Sequence, residues 1–209
     1  MLRLYDYLPS GNGYKVRLLL CQLGLPFELV ERDILKGETR TPEFLAINPN
    51  GKIPVLEFED GRRLAESNAI LFYLAEGSPF LADDRWGRAL TLQWLFFEQY
   101  SHEPYIAVPR FWIHSLNKRR EWQERLKEKW ERGHQALAVM DRHLDGRKFL
   151  VGDRYGIADI ALYAYTHVAH EGHFELADYP RVGAWLQRVA AQPGHIRITD
   201  EVGRLVSWP

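Results

Sequence analysis

A short polar loop near the start of the chain carries residues that are well placed to do chemistry. It lies in "YDYLPSGNGYKVRLLLCQLG", residues 5–24, between a predicted strand and a predicted amphipathic helix. The loop offers a hydroxyl at Ser10 and an amide at Asn12, and Tyr7 ends the strand before it. It has no thiol, because the single cysteine, Cys21, falls inside the apolar run of the helix, where we expect a small buried hydrophobe.

A second string, "NPNGKIPVLEFEDG" followed by "AESNAI", predicts a receptor for a small zwitterionic peptide. Pro54 opens a β run, and a cis Ile53-Pro54 bond would turn the backbone of Ile53 outward, where it can hydrogen-bond an extended peptide. Ser67 is predicted to cap a helix that starts at Asn68, and the N–H groups of that helix end form a carboxylate site. Glu66 beside it could hold an amine.

The histidines of "HVAHEGHF" do not predict a metal site. His167 and His170 are neighbours on a helix, but His173 is rotated away from His167, and the spacing differs from the HExxH of zinc proteases. We expect polar histidines at a helix end, and no metal.

Before residue 78, strand-like runs alternate with helical ones. The predicted strands are 2–7, 27–33, 53–58 and 62–66, and the predicted helices are 12–23, 42–47 and 68–76. A β-α-β unit followed by a hairpin predicts a small four-stranded mixed sheet, because the parallel pair needs a crossover and the hairpin adds antiparallel strands. Asp60-Gly61 is predicted to form a two-residue hairpin turn, which requires positive φ angles.

After residue 85 the sequence is typical of a helical bundle. "GSPFLADDRWG" suggests a linker at 78–85, which divides the chain into domains at 1–77 and 86–209. In the second domain, apolar residues recur three and four positions apart on one predicted long helix; they are Trp122, Leu126, Trp130, Leu137, Met140 and Leu144. We expect this stripe to pack as core between antiparallel helices.

Composition and charge narrow the classes of partner. The 209 residues are 46% apolar, which is enough for a buried core. The 27 basic residues balance 28 acidic ones without a basic stripe, so nucleic acid is not an expected partner. The N-terminus lacks an apolar signal segment and no apolar run could cross a membrane, so we expect no membrane association. A single cysteine fits a cytoplasmic location.

Four strings in order resemble the bacterial cytosolic glutathione S-transferase family; they are "NPNGKIPVLE", "ESNAI", "FLVGDRYGIADI" and "YPRVGAWLQRVAAQP". The resemblance extends over nearly the whole chain. It implies an α/β plus all-α architecture, with a thioredoxin-like N-terminal domain followed by an all-helical C-terminal domain. It also implies a homodimer that uses glutathione as a co-substrate, with no other cofactor.

The resemblance implies a set of glutathione-binding residues: Lys52, Ile53, Pro54, Glu66, Ser67, Thr39 and Arg40. By this resemblance the Ile53 backbone pairs with the cysteinyl unit of glutathione, and Glu66 and Ser67 take its γ-glutamyl end. Lys52 would lie near the glycyl carboxylate. For Lys52 and Arg40 a solvated surface charge remains the alternative.

The same resemblance implies that the polar loop faces the glutathione sulfur. A thiol with a pKa of about 8.5 is mostly protonated at neutral pH, and a donated hydrogen bond favours its thiolate. Ser10 matches the serine of the theta-like branch of the family, Asn12 can donate through its amide, and the helix N-terminus adds a favourable dipole. Tyr7 is a competing donor, because other branches use a tyrosine there, and Ser10 could instead only cap the helix.

The expected function is conjugation of glutathione to a small hydrophobic electrophile, which is a detoxification reaction. Tyr105, Arg110 and Trp112 are candidates for an apolar co-substrate cleft between the domains, with helix packing as the alternative. Two other functions stay open: glutathione-dependent reduction of peroxides or disulfides, and a non-catalytic binding module. Exchange through a protein thiol is disfavoured, because related relays use a cysteine where this chain has Ser10.

One position departs from the family pattern. In "GDRYGIADI" the chain has Gly156 where serine or threonine is usual, so the reciprocal capping box with Asp159 is reduced. We expect a cost of only a few tenths of a kcal/mol relative to serine, because glycine is an acceptable N-cap.

Overall fold

The computed structural model describes residues 1–205, which divide between two compact units. The first unit comprises Met1–Glu76 together with residues 193–205, and the second comprises Gly77–Gln192. The predicted second domain, 86–209, therefore extends too far, because residues 193–205 belong to the first unit. The physical reason is that hydrogen bonds and strand pairing tie the residues after 192 to the first unit.

Five strands form one mixed sheet in the first unit. They are β1 (Leu2–Asp6), β2 (Phe27–Glu31), β3 (Val55–Glu57), β4 (Arg63–Ala65) and β5 (Arg204–Leu205), in the order β4-β3-β1-β2-β5. β1 is parallel to β2 and antiparallel to β3, and β3 is antiparallel to β4. The predicted four-stranded mixed sheet is confirmed, and β5 extends it by pairing in parallel with β2.

The hairpin between β3 and β4 closes through a three-residue loop, so the predicted two-residue turn is wrong. The Phe58 N–H donates to the Arg62 carbonyl, and the Gly61 N–H donates to the Phe58 carbonyl, both at 2.9 Å. Within this loop only Gly61 has a positive φ, of 82°. A type I turn followed by one left-handed glycine accounts for this geometry, and Asp60 keeps an ordinary backbone conformation.

Three helices pack on this sheet: α1 (Gly11–Gln22), α2 (Pro42–Ile47) and α3 (Ser67–Leu74). Alternation along β1 sends Leu4 to one face and Tyr5 to the other. Leu4 belongs to a buried cluster with residues of α1 and α3, and Tyr5 belongs to a cluster with residues of α2. Because β1 and α1 are both held in the core, the four residues between them are anchored at each end.

The helix α3 begins one residue earlier than predicted. Ser67 is its first residue, and Glu66 occupies the N-cap position with φ 68° and ψ 111°. The expectation that Ser67 is the cap is therefore wrong, because the left-handed backbone turn falls at Glu66 and the chain enters the helix immediately afterwards. The Ser67 N–H still belongs to the first turn, where helix N–H groups lack intrahelical partners.

The second unit is built from helices. They are α4 (Arg85–Phe97), α5 (Glu103–Arg110), α6 (Gln123–His143), α7 (Ile157–Thr166) and α8 (Pro180–Ala190). The aromatic-rich segment from 85 to 115 is not one helix, because π-helical turns at Glu98–His102 and Phe111–Ser115 interrupt it. Proline cannot donate to the helix ladder, and Pro104 and Pro109 lie close to these two turns.

The apolar stripe on α6 packs in the core, as predicted. Leu126, Leu137 and Met140 have no exposed surface, and Leu144, just after the helix, is 3% exposed. Trp130 is partly buried and its Nε1 donates to the Gly172 carbonyl at 2.9 Å. In the described part of the chain, no helix is both long enough and apolar enough to cross a membrane.

Gly156 forms the N-cap of α7, and its N–H donates to Asp159 Oδ2 at 3.1 Å. The reduced capping box is confirmed, since glycine has no side chain to return the bond. The expected small advantage of serine does not apply here, because a Cβ on residue 156 would lie 2.7 Å from the backbone oxygen of Phe80.

The mixed sheet with its three helices and the helical second unit are the thioredoxin-like and all-helical folds expected from the resemblance.

Candidate functional site

Ser10 ends the loop that follows β1 and begins α1. Its N–H donates to the Tyr7 carbonyl at 2.7 Å, and its backbone is extended, with φ −74° and ψ 125°, as an N-cap requires. Its Oγ accepts a hydrogen bond from the Gly13 N–H at 3.4 Å. Capping uses a lone pair and leaves the hydroxyl hydrogen to donate, so the cap role and the donor role of Ser10 are compatible.

A buried carboxylate explains the glycine in "SGNGYKV". A Cβ on Gly13 would lie 1.5 Å from Asp6 Oδ1, so no larger residue fits there. Asp6 has no exposed surface, and its Oδ2 accepts from Arg17 Nε at 2.9 Å. Burial raises the pKa of Asp6 to about 7, against the lowering effect of the Arg17 guanidinium. Arg17 Nη2 also donates to the Leu8 carbonyl at 2.7 Å, which fixes the loop two residues before Ser10.

Residues 196–200 hold α1 through hydrogen bonds with two of its side chains. Arg17 Nη1 donates to the carbonyls of Asp200 at 3.1 Å and Ile198 at 3.3 Å, and the Tyr14 hydroxyl donates to the Ile196 carbonyl at 2.7 Å. Sequence reasoning missed this anchor. The available signal was a pair of cations, Lys15 and Arg17, in an otherwise apolar stretch of predicted helix.

Asn12 and Ser67 are brought together although 55 positions separate them in the chain. The Ser67 hydroxyl donates to Asn12 Oδ1 at 3.3 Å, and Lys15 Nζ donates to the same oxygen at 2.8 Å. Lys15 Nζ also donates to Ser67 Oγ at 3.3 Å and to Asn68 Oδ1 at 3.4 Å. The loop predicted to face a sulfur therefore touches the helix end predicted to hold a carboxylate.

The Ile53-Pro54 peptide bond is cis, which confirms the conformation suggested by the sequence. The loop before it is shaped by the buried Asn48, whose Nδ2 donates to the Lys52 carbonyl at 2.7 Å. Within the described residues, no hydrogen bond engages the backbone of half-buried Ile53, which precedes β3. Its amide and carbonyl are therefore able to pair with an extended ligand.

Glu66 and Ser67 lie at the N-terminus of α3. Ser67 is 5% exposed, whereas the Glu66 side chain is exposed to solvent. The positive φ of Glu66 is uncommon for a residue with a side chain, and such conformations concentrate at binding sites. This end of α3 thus combines first-turn N–H groups with a carboxylate beside them.

The other glutathione candidates of the first unit lie around Gly51. Arg40 is exposed, and its Nη1 donates to the Asn50 carbonyl at 3.1 Å. A Cβ on Gly51 would lie 2.5 Å from Arg40 Nη1 and 2.9 Å from the Thr39 carbonyl, so these two residues pack directly on the loop that carries Lys52. Lys52 itself is exposed and Thr39 is buried, which leaves both surface cations accessible to an anion.

The three co-substrate candidates lie in the second unit, and each contacts other residues of that unit. Arg110 Nε pairs with Glu171 Oε2 at 2.5 Å, and the arginine side chain is 8% exposed. The Tyr105 hydroxyl accepts from Arg132 at 3.1 Å, and Trp112 packs edge-on against Trp122 with ring centroids 4.8 Å apart. Each of the three thus has a packing contact within its own unit, and a role in binding the co-substrate stays a prediction.

Cys21 lies on α1 and is half-buried against the core cluster that contains Leu4. It is less buried than expected. Burial raises the pKa of its thiol, so the thiolate form is disfavoured. The histidines of "HVAHEGHF" lie near the 3₁₀ turn Ala169–Gly172, and residues 1–205 hold no group of three His, Cys, Asp or Glu able to bind a metal ion.

Both units of the chain are similar to known proteins. The family models described as glutathione S-transferase, N-terminal domain and C-terminal domain match residues 1–76 and 91–193. The disulfide-bond oxidoreductase YfcG of Escherichia coli (strain K12) is 34% identical over 201 residues, which are 92% of each chain. A crystal structure of glutathione S-transferase from Pseudomonas fluorescens Pf-5 is 54% identical, with a TM-score of 0.94 over 95% of this chain and 99% of that one.

A glutathione transferase from Burkholderia graminis was crystallised with two glutathione molecules bound per subunit. It is 32% identical, with a TM-score of 0.79 over 92% of this chain and 85% of that one. The fold of both units, the order of the four motifs and the matches to both family models agree. The chain belongs to the glutathione S-transferase family.

Proposed function

We propose that this protein binds glutathione in its first unit, stabilises the glutathione thiolate, and transfers it to a small electrophile. The observation that carries the proposal is the 3.3 Å contact between Ser67 and Asn12. It brings the residue proposed for the γ-glutamyl carboxylate against the loop proposed for the sulfur. A single short peptide can therefore reach both positions.

The recognition of the peptide divides among three parts of the site. The γ-glutamyl carboxylate meets Ser67 and the first-turn N–H groups of α3, and Glu66 takes the ammonium. The backbone of Ile53, turned by the cis bond to Pro54, pairs with the cysteinyl unit. The glycyl carboxylate lies near Lys52, with Thr39 and Arg40 as the secondary contacts; Lys52 and Arg40 are exposed cations.

In the proposed reaction the protein supplies hydrogen-bond donors and no nucleophile of its own. The thiol loses its proton to water, and the thiolate accepts hydrogen bonds from the Ser10 hydroxyl and the Asn12 amide at the N-terminus of α1. A new bond forms between sulfur and the electrophilic carbon, and a leaving group departs with its electron pair or an activated double bond accepts a proton. Tyr105, Arg110 and Trp112 remain the proposed co-substrate contacts.

A second candidate function is reduction of disulfides with glutathione. It is supported by the name of the 34% identical relative, a disulfide-bond oxidoreductase, and by the two glutathione molecules in the Burkholderia graminis structure. One glutathione thiolate attacks the substrate disulfide, forming a mixed disulfide and releasing one substrate thiolate. A second glutathione thiolate then attacks the mixed disulfide, so glutathione disulfide and the second substrate thiolate leave.

Calorimetric titration with glutathione tests glutathione binding, which both candidate functions require. We expect the wild type to bind and Ser67→Ala to bind about tenfold or more weakly, because a hydrogen bond to a charged group is lost. The thiolate absorbance in the ultraviolet should appear at neutral pH in the wild-type complex. The absence of binding would instead favour a non-catalytic module that uses this fold for another purpose.

Parallel activity assays separate the two reactions. An activated aryl chloride reports conjugation, a hydroperoxide reports peroxidase activity, and hydroxyethyl disulfide reports disulfide reduction. Turnover of the aryl chloride above the uncatalysed rate supports the transferase. Turnover of the disulfide alone would replace the first candidate by the second, and would shift attention to the binding of a second glutathione molecule.

We also propose that the protein forms a homodimer. Large aromatic residues of the second unit are open to solvent in the single chain: Trp86 is 72% exposed, Phe96 70% and Tyr100 85%. Exposed apolar surface of this kind is typical of association sites. Light scattering with size-exclusion chromatography should give twice the chain mass.

We also propose a cytoplasmic location, because the proposed reaction needs reduced glutathione and the cytoplasm keeps thiols reduced.

A further inference from the structure

Lys15 is a buried cation at the centre of the candidate site. It lies on α1 and has no exposed surface, although it stands between Tyr14 and Val16 in the packed part of the helix. Its ammonium donates hydrogen bonds to three neutral oxygens, Asn12 Oδ1, Ser67 Oγ and Asn68 Oδ1. Removing an ammonium from water is costly, so a buried lysine in such a place calls for a reason beyond packing.

The contacts of Lys15 constrain the direction of the Asn12 amide. Lysine has three donor hydrogens and no acceptor, so the atom of Asn12 that faces it at 2.8 Å has to be the oxygen. The amide nitrogen then points away from Lys15. This is the orientation in which Asn12 can donate to a thiolate.

Lys15 also joins two parts of the site that come from distant stretches of the chain. Asn12 belongs to the first turn of α1, while Ser67 and Asn68 begin α3. One ammonium group contacts both helices at their N-termini, where the proposed thiolate and the proposed γ-glutamyl carboxylate are bound. Both of these ligand groups are anions, and a buried cation in contact with Asn12 and Ser67 favours both, because charges interact more strongly in a low-dielectric interior than in water.

We propose that Lys15 is a positioning residue of the glutathione site, which orients Asn12 and Ser67 and whose positive charge favours the thiolate form of bound glutathione. This inference rests on the proposed function. An opposite charge within a few ångströms lowers the pKa of an acid by about one to three units. Because Asn12 separates Lys15 from the proposed thiolate, we expect Lys15 to lower the pKa of the bound thiol by about one unit.

Three substitutions separate the charge from the hydrogen bond. Lys15→Gln keeps a donor for Asn12 but removes the charge, Lys15→Met removes both with little change of volume, and Lys15→Arg keeps the charge. Lys127→Gln is the matched control, because it removes a lysine that is 63% exposed and pairs with Glu124 on α6. Circular dichroism and thermal unfolding establish that each variant is folded at the assay temperature.

The measurement is a pH titration of the thiolate absorbance of bound glutathione, with affinity determined by calorimetry in the same samples. We expect Lys15→Gln to raise the pKa of the bound thiol by about one unit, so that turnover well below that pKa falls about tenfold and recovers at higher pH. Lys15→Arg should keep the pKa of the wild-type complex, and Lys15→Met should add a loss of affinity. A purely structural role would lower activity equally at every pH.

The outcomes distinguish the two proposals. A wild type that does not bind glutathione would overturn both. A wild type that binds glutathione with a lowered thiol pKa, unchanged in Lys15→Gln and Lys15→Met, would overturn the role of Lys15 and leave the proposed function standing. If Lys15→Met does not fold, the comparison of Lys15→Gln with Lys15→Arg still decides the role of the charge.

Discussion

Arg17 Nε lies 2.9 Å from Asp6 Oδ2, and neither side chain has any exposed surface. The remaining guanidinium hydrogens reach the carbonyls of Leu8, Ile198 and Asp200. One buried ion pair thus connects the end of β1, the loop before Ser10 and residues 198–200. The position of Ser10, the proposed thiolate donor, therefore depends on contacts between segments that are distant in the sequence.

We expect Arg17→Met to lower the free energy of unfolding by about 3 to 5 kcal/mol, because it leaves the Asp6 carboxyl buried without its partner. In the double variant Asp6→Leu/Arg17→Met no charge is buried, so the loss should be smaller than the sum of the two single losses. Urea unfolding of the four proteins gives the interaction energy. Additive losses would show that the pair is not coupled.

For Ser10→Ala we expect retained glutathione affinity and a fall in turnover of about a hundredfold or more, as for removal of one donor to a developing or bound anion. The lost N-cap should lower stability by about 1 kcal/mol.

Thr41→Ala is the control for the stability that Ser10→Ala loses with its N-cap. Thr41 caps α2 in the same way, with Oγ1 accepting from the Phe44 N–H at 3.3 Å. It should lose similar stability and keep its turnover. Full activity in Ser10→Ala would reassign the donor role to Asn12 or Tyr7.

We expect Gly156→Ser to destabilise the protein, although serine is the better helix cap in isolation. The new Cβ would lie 2.7 Å from the Phe80 carbonyl oxygen, and a backbone atom cannot move aside without displacing the segment that carries it. Crowding of this kind costs about 1 kcal/mol or more, against a capping gain of a few tenths. Gly183→Ser, where a Cβ meets nothing within 4 Å, is the control. An increase in Tm of Gly156→Ser would contradict the crowding.

Asp159 gives the folded protein a pH-dependent stability. Burial raises the pKa of Asp159 to about 6, although it accepts hydrogen bonds from Trp185 Nε1 at 2.8 Å and from the N–H groups of Leu150 and Gly156. The folded state therefore holds this proton at pH values where the unfolded state has released it. Between about pH 4 and pH 6 the free energy of unfolding falls as pH rises, by up to about 3 kcal/mol from this group.

Comparison with Asp159→Asn isolates that contribution, because asparagine does not titrate. The stability of the wild type minus that of the variant should fall from about pH 4 to about pH 6 and stay level above it. Asp153→Asn, on the exposed turn before α7, controls for the chemical change. A difference that stays level from about pH 4 to about pH 6 and rises with pH only below about pH 4 would show that hydrogen bonding outweighs burial and that the pKa of Asp159 is lowered.

Features that depend on neighbours in the chain could be predicted from the sequence. The strand, loop and helix around Ser10, the hairpin ahead of α3 and the buried stripe on α6 follow from periodicity and from glycine and proline at fixed positions. The Ile53-Pro54 bond is cis, as the sequence suggested. Where a boundary depended on one backbone angle, as at Asp60-Gly61 and Glu66, local reasoning placed the wrong residue in the turn or the cap.

Only the tertiary structure showed what surrounds the site. Lys15 reaches Ser67 across 52 positions and Arg17 reaches Ile198 across 181, so the sequence shows two cations in an apolar stretch of helix but does not show their partners. Residue type and spacing determined the family, the order of the elements and the candidate donors. Packing decided which cations are buried and which oxygens they meet, because burial and charge pairing depend on segments that become neighbours only when the chain has folded.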